Sequence, residues 1–326
     1  MNFNFWGQLE KPFFVLAPMA DVTDMTFRQI ICETGKPDVF YTEFVSAAGL
    51  CSEKGRPKLL PHFKFGENER PIVAQIFGSV PRYFYECAKL IADLGFDGID
   101  INMGCPDRKV LKQGAGIALC KTPELAAEVI AETKRGANGL PVSVKTRLGG
   151  DKIDVSWIAK LLGSKINALT IHLRTMREMS KVPAHWELAG ELSKLAHESG
   201  TIIIGNGDIS DYQDGVLKAK NYGLDGIMVG RAIFNNPWFF SARGGPASGG
   251  DNRNERLTLL KHHISNFINL WGNPPEAGSA SLRNYDTMKK FFKVYITGWP
   301  GAKESRDELM RTKTSEQALA QLDNIM

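Results

Sequence analysis

Gly98-Ile99-Asp100-Ile101-Asn102-Met103-Gly104-Cys105-Pro106 reads as a strand that ends abruptly. Ile99 and Ile101 carry an apolar run, and Gly104 and Pro106 cannot continue a central strand, so the chain turns there. Cys105 is thereby offered at the mouth of a turn rather than inside the run. On position alone a free cysteine is more often a small buried hydrophobe than a reagent. Seven further runs of the same kind occupy 13–19, 39–45, 72–77, 142–146, 168–172, 202–205 and 226–229. Segments of helical period lie between most of them, at 83–94, 123–134, 157–162 and 188–197. Runs without strict alternation suit strands buried on both faces, as a parallel sheet covered by helices requires. Eight of them at this spacing predict an α/β chain folded as a (β/α)8 TIM barrel. The alternative, a doubly wound open sheet, needs a Gly-rich turn after its first strand, and Ala17-Pro18-Met19-Ala20-Asp21 is not one.

Composition narrows the class. The chain has 326 residues, 43% hydrophobic and 23% charged, which is ordinary for a soluble globular protein. No apolar run approaches the roughly 18 residues that span a bilayer, and Met1 to Glu10 carries no secretory pattern. Five cysteines without CxxC spacing make neither a disulfide framework nor a zinc site. The expected setting is cytoplasmic, without a membrane partner, and the expected state is a monomer. A net charge of +4 with a pI near 8.7 permits an anionic partner without demanding one. The barrel is placed in residues 1–243 and a Gly-, Ser- and Pro-rich linker in 244–256. A smaller all-helical domain follows in 257–326, with helical patterns at 257–270, 281–296 and 305–325. Arg283, Lys289, Lys290 and Lys293 are read there as one basic stripe along a helix, with a solvated helical face as the plainer reading.

The strand ends carry the chemistry. They are Pro18-Met19-Ala20-Asp21, Thr42-Glu43, Gln75, Asn102 with Cys105, Lys145 with Arg147, His172 with Arg174, Asn206-Gly207-Asp208, and Gly230-Arg231. A barrel brings all of them to one face, where barrel active sites are built. Each has a structural reading of its own: Gln75 as a strand cap, Lys145 paired with Glu43, His172 as a satisfied core histidine. Eight of eight polar or turn-forming ends is hard to explain by stability, because buried polar groups are costly unless paired. The last two ends combine glycines with an arginine ahead of a short helical segment, a pattern that suits a phosphate. Lys145 would set a positive charge beside a ring that becomes anionic on reduction. No metal constellation is present, and His185, His197, His262 and His263 are read as surface residues. Cys120 is read as a buried packing residue.

Seven segments in register resemble the tRNA-dihydrouridine synthases: Ala17-Pro18-Met19-Ala20-Asp21-Val22-Thr23-Asp24, Thr42-Glu43-Phe44-Val45, Asn102-Met103-Gly104-Cys105-Pro106, Gln113-Gly114-Ala115-Gly116, Val144-Lys145-Thr146-Arg147, Asn206-Gly207-Asp208 and Gly230-Arg231-Ala232. Gly298-Trp299-Pro300-Gly301-Ala302 resembles a turn of the family's helical domain. The resemblance implies an FMN enzyme that uses NADPH (or NADH) to reduce the carbon 5–carbon 6 double bond of particular uridines in tRNA. It implies flavin contacts from Pro18, Met19, Ala20, Gln75, Lys145 and His172. A ribityl and phosphate seat follows in Asn206, Gly207, Asp208, Gly230 and Arg231, and substrate contacts in Asn102, Arg147 and Arg174. Cys105 is implied as the general acid. The loop 113–116 reads as a lid that brings the thiol in, and the target base must leave its stack to be reached. The basic tail is implied to contact tRNA phosphates.

Two departures stand near the substrate mouth. Leu173 occupies a position where the family has glycine, and 179–186 lacks the usual aromatic and glycine. Two other classes stay open: a flavin barrel acting on a small molecule such as a free pyrimidine, and a non-catalytic RNA-binding barrel. Tightly bound yellow chromophore and salt-dependent tRNA binding separate them.

Overall fold

The computed structural model describes residues 4–244, 253–272 and 283–326. The strands are β1 (Phe13–Leu16), β2 (Phe40–Tyr41), β3 (Val45–Ser46), β4 (Ile72–Phe77), β5 (Gly98–Met103), β6 (Val142–Arg147), β7 (Ala168–His172), β8 (Ile202–Asn206) and β9 (Gly226–Val229). They are parallel in the order β1-β9-β8-β7-β6-β5-β4-β2, with β3 also on β4. A parallel bridge from Val15 to Val39 and a 3.3 Å bond from the Leu16 N–H to the Val39 carbonyl bring β1 beside β2. The sheet is therefore the predicted α/β barrel, and the open doubly wound sheet is excluded.

The run 39–45 forms two short strands instead of one. Thr42 uses its hydroxyl where the ladder needs a backbone acceptor: it accepts the Gln75 N–H at 3.1 Å and donates to the Glu43 carbonyl at 2.9 Å. After the Thr42 N–H bonds the Val73 carbonyl at 3.0 Å, pairing with β4 lapses and resumes at Val45 opposite Ile76.

Side chains two apart on a strand share a face. On β5, Ile99, Ile101 and Met103 point one way while Asp100 and Asn102 point the other; Ser143, Lys145 and Arg147 alternate likewise with Val144 and Thr146 on β6. Val73, Ala168, Ile204 and Met228 join Val15 and Tyr41 in a buried cluster with Phe5, Trp6 and Phe13. Phe5 and Trp6 lie 4.5 Å apart, centroid to centroid, and Trp6 lies 5.8 Å from Phe13, the first residue of β1. The short 3-10 helix Phe5–Gln8 thus closes the end where strands begin, which leaves the opposite mouth for chemistry. Helix Val155–Gly163 is started by Asp154, whose carboxylate accepts from the Trp157 N–H. The Trp157 indole donates to Thr146 at 2.9 Å, fixing that helix to β6.

The chain divides into two compact units, Met1–Ala20 with Pro37–Gly230, and Asp21–Lys36 with Arg231–Met326. The sequence boundary at 243 separates them differently, because helix Met25–Thr34 is tied to the helical tail. Asp24 caps that helix through the Phe27 N–H at 3.0 Å, accepts the Trp271 indole at 2.9 Å and faces the Arg283 guanidinium at 3.4 Å. Of the linker 244–256, residues 245–252 lie outside the described residues.

Asp24→Ala removes a buried cap and leaves a buried arginine short of its counter-charge. Breaking one side of such a pair costs about 3–5 kcal/mol. Guanidinium denaturation is expected to show a loss of that order, and a loss below about 1 kcal/mol would contradict this account of the tail.

The tail corrects two expectations. Of the segment 281–296, residues 281–282 lie outside the described residues and 283–296 holds two short helices, Asp286–Lys289 and Phe292–Tyr295, so no single stripe forms. Arg283 is 7% exposed and spent on Asp21 and Asp24, and Lys289 pairs with Asp286; only Lys290 and Lys293 of the four are exposed. His263 is fully buried, not on the surface. It shares the inner face of helix Arg253–Trp271 with Leu260, Ile264 and Phe267 and bonds Tyr295 at 3.0 Å. Burial, with the charge of Arg283, brings its pKa down to about 3, so it is neutral.

Candidate active site

Register assembles the mouth. Gln75 lies opposite Asp100, Asn102 opposite Lys145, Arg147 opposite His172 and His172 opposite Asn206. Five strands therefore place their last inward side chains in one ring. Pro18 and Met19 are half-buried and Ala20 is exposed at the end of β1.

Cys105 is held from both sides. The Asn102 side-chain oxygen accepts the N–H of Gly104 at 3.1 Å and of Cys105 at 2.9 Å, a turn that ends β5. The Cys105 carbonyl accepts the Ile117 N–H at 3.2 Å. Gly116 has φ +62°, and a Cβ there would meet that carbonyl at 2.6 Å, so only glycine permits the approach. Ala115, Gly116 and Ile117 are buried; this part of the expected lid is a packed wall behind the thiol. Cys105 itself is half-buried, and burial raises its pKa, keeping the thiol protonated at neutral pH. Cys120 is half-buried as well, not buried as expected.

Lys145 is the cation of the ring. Burial, then the neighbouring Arg147, lowers its pKa to about 8, against the pull of Asp100. Among the described residues its one hydrogen bond goes to the neutral Asn206 amide at 3.3 Å, and Glu43 pairs instead with His62 at 3.1 Å. The Asn206 amide nitrogen donates to the Met228 carbonyl at 2.8 Å. Arg147 donates to the Gly104 carbonyl at 3.0 Å and meets His172 Nδ1 at 3.2 Å, linking the Cys105 turn to β7.

Arg174 and Asp208, both named by the resemblance, pair with each other. Arg174 is 2% exposed, donates to the Val182 carbonyl at 2.6 Å and pairs with the Asp208 carboxylate. Asp208 also accepts the Ala184 N–H at 2.9 Å. The pair braces segment 182–184, while the Arg174 Nη1 is buried without a hydrogen-bond partner among the described residues. Leu173 is buried and its carbonyl accepts the His185 N–H at 2.7 Å, so the bulk that replaces glycine packs inward. His185 is bracketed by Glu178 and Glu187, which raise its pKa.

Gly207 has φ +129°, and a Cβ at Gly230 would meet only Ala17 at 3.8 Å. Backbone is thus left open at Gly230, whereas at Gly207 a Cβ would meet the Ala184 side chain at 2.9 Å. Arg231 begins the second unit and precedes helix Ala232–Asn235. Among the described residues no group of three or more His, Cys, Asp or Glu is placed to hold a metal, and no helix is long and apolar enough to cross a membrane. Asp100 escaped the sequence reading. The period-two spacing of Asp100 and Asn102, repeated by Ser143, Lys145 and Arg147, was the signal that could have found it.

Comparison with known proteins finds relatives along nearly the whole chain. A family model described as dihydrouridine synthase matches residues 15–326. A probable tRNA-dihydrouridine synthase of Staphylococcus aureus (strain COL) is 43% identical across 99% of this chain and 96% of that protein. Probable tRNA-dihydrouridine synthase 2 of Bacillus subtilis (strain 168) is 44% identical across 99% and 97%. Among solved structures, histamine dehydrogenase from Rhizobium sp. 4-9 superposes with a TM-score of 0.57 at 12% identity, over 86% of this chain and 51% of that one. That likeness shows the barrel fold.

Proposed function

The chain belongs to the dihydrouridine synthase family, and from that premise we propose that it reduces the carbon 5–carbon 6 double bond of uridines in tRNA, with FMN as cofactor, NADPH (or NADH) as reductant and Cys105 as proton donor. The observation that carries the reading is the half-buried thiol of Cys105, seated by Asn102 at the end of β5 next to the Lys145 strand.

The residues present fit a flavin. Lys145 is an ammonium in a largely enclosed position whose one hydrogen bond among the described residues is to a neutral group, a donor suited to a ring that gains negative charge on reduction. Gln75, Lys145 and His172 would hold the ring, with Pro18, Met19 and Ala20 along its edge. Asn206, Gly207 and Gly230, with Arg231 and the backbone of Asp208, would hold the ribityl chain and phosphate. When bound, the flavin would supply the hydride that reduces the uracil at carbon 6. Cys105 then gives its proton to carbon 5 from the opposite side. A thiol whose pKa is raised by burial is protonated at neutral pH and needs placement more than activation. Arg147 and Asn102 provide that placement by gripping the Gly104–Cys105 turn. The uridine must be unstacked to offer both faces. Exposed Lys293, together with Lys290, which also donates to the Asp21 carbonyl at 2.8 Å, supports contact of the helical tail with tRNA phosphates, where cations supply affinity without reading sequence.

The test is to incubate the purified chain with unmodified tRNA and NADPH and to map dihydrouridine. New dihydrouridine at defined positions is the expected result. NADPH oxidation with tRNA left unchanged would overturn the substrate assignment in favour of a small molecule.

A further inference from the structure

The barrel interior holds a carboxylate that the proposed reaction does not consume. Asp100 is fully buried, two residues before Asn102 and on the same face of β5. Its Oδ1 accepts the Ser143 hydroxyl at 2.6 Å and its Oδ2 accepts the Gln75 amide nitrogen at 2.6 Å. The Gln75 oxygen accepts the Asn102 amide nitrogen at 3.0 Å. The Asn102 oxygen in turn accepts the N–H groups of Gly104 and Cys105. Every bond in this chain runs one way.

We propose that Asp100 is a positioning residue for uridine reduction, fixing the orientation of the Gln75 and Asn102 carboxamides and through them the seat of Cys105. The inference rests on the reading of Cys105 as the proton donor. A carboxylate offers only lone pairs, so Gln75 must turn its nitrogen toward Asp100 and its oxygen toward Asn102. Asn102 must then turn its nitrogen toward Gln75, which leaves its oxygen for the two backbone donors. Reverse the first amide and the second follows, setting an NH2 group against the N–H of Cys105. Ionised Asp100 forbids that reversal.

Two titratable groups face it, Tyr41 from β2 and Lys145 from β6. Burial raises its pKa to about 6, opposed by the hydrogen bonds from Ser143 and Gln75 and by Lys145. It is therefore ionised at neutral pH despite its burial. A role in packing alone would be met by the isosteric amide, which carries no charge to desolvate; the directional chain would not.

The experiment uses the flavin-loaded full chain and three variants: Asp100→Asn, Ser143→Ala, and the double change Asp100→Asn/Asn102→Asp. Two quantities are read. One is the iodoacetamide alkylation rate of Cys105 followed across pH and extrapolated to full ionisation. The other is kcat for dihydrouridine formation against KM for tRNA. Asp100→Asn is expected to change the extrapolated alkylation rate at least threefold and to lower kcat at least tenfold with KM within twofold. Ser143→Ala leaves the Gln75 bond in place but removes a bond that holds the Asp100 pKa down, so it is expected to change neither when both are read above pH 8, where Asp100 stays ionised. The double change puts at 102 a carboxylate that accepts in either orientation, and is expected to return alkylation to the native rate. Native alkylation in Asp100→Asn, an equal effect of Ser143→Ala, or no rescue by the double change would overturn the proposal. If Asp100→Asn does not fold, Gln75→Met cuts the same chain and must reproduce its two expected effects. A native chain that forms no dihydrouridine, while Asp100→Asn still shifts alkylation, would sink the proposed reaction and leave the positioning role standing.

Discussion

Cys105→Ala is expected to bind flavin and be bleached by NADPH as the native chain is, yet to form dihydrouridine 10²–10⁴-fold more slowly, the usual range for removing a general acid. The separation of the two half-reactions is the point. Flavin contacts are assigned to Gln75, Lys145, His172 and the glycines after β8 and β9, none of which needs the thiol. The turn itself should survive, because Asn102 grips backbone N–H groups and Gly116 approaches a backbone carbonyl. Burial raises the Cys105 pKa, so the native rate should be flat through neutral pH and fall only in the alkaline range where the thiolate forms. That sign distinguishes a proton donor from a nucleophile, whose rate would rise with the thiolate. Single-turnover assays with pre-reduced protein and unmodified tRNA measure it. A Cys105→Ala chain that reduces uridine at near-native rate removes the thiol from the mechanism.

The barrel was legible because its signal is repeated and local. Ile99 and Ile101 on β5 or Val142 and Val144 on β6 announce a doubly buried strand without help from elsewhere, and polar strand ends announce the mouth. What escaped depends on contacts between distant residues. Thr42 breaks β2 from β3 through a bond to Gln75, 33 positions away, and its own run looks continuous. Phe5 and Trp6 give no strand or helix pattern, yet they fill the barrel floor. Asp100 sat in a run read as apolar, and only the alternation shared with Ser143 and Lys145 marks it as facing inward. His263, flanked by Lys261 and His262, looks solvated until Leu260, Ile264 and Phe267 are placed on the same helical face. Arg174 and Asp208 carry the polarity of a binding site, and their pairing with each other was not visible in the sequence. A sequence shows which residues reach the mouth more readily than which of them have charge left for a ligand.

Lys145→Met should move stability and cofactor binding in opposite directions. The native lysine has its pKa lowered from 10.5 to about 8, first by burial and then by Arg147. A folded-state pKa below the unfolded one means that the folded chain binds its proton less willingly. The resulting penalty is complete below about pH 8 and fades as pH rises toward 10.5, where both states are neutral. At 1.36 kcal/mol per pKa unit it is about 3 kcal/mol. Methionine matches the length of the stem and carries no charge, so the flavin-free variant should gain about 2–3 kcal/mol at pH 7. Asp100 loses an attractive neighbour in the same change, which trims the gain. The gain should shrink to near zero when melting is repeated at pH 10.5. Flavin affinity should fall at least tenfold over the same substitution, because the enclosed ammonium is the charge offered to the ring, and dihydrouridine formation should fall with it. The two readouts bear on one cause: a cation held at a stability cost in the free protein and used by the ligand. A variant that is less stable than the native chain at pH 7 would mean that Lys145 serves the fold. A variant that keeps native flavin affinity would mean that the charge at 145 is not what holds the ring.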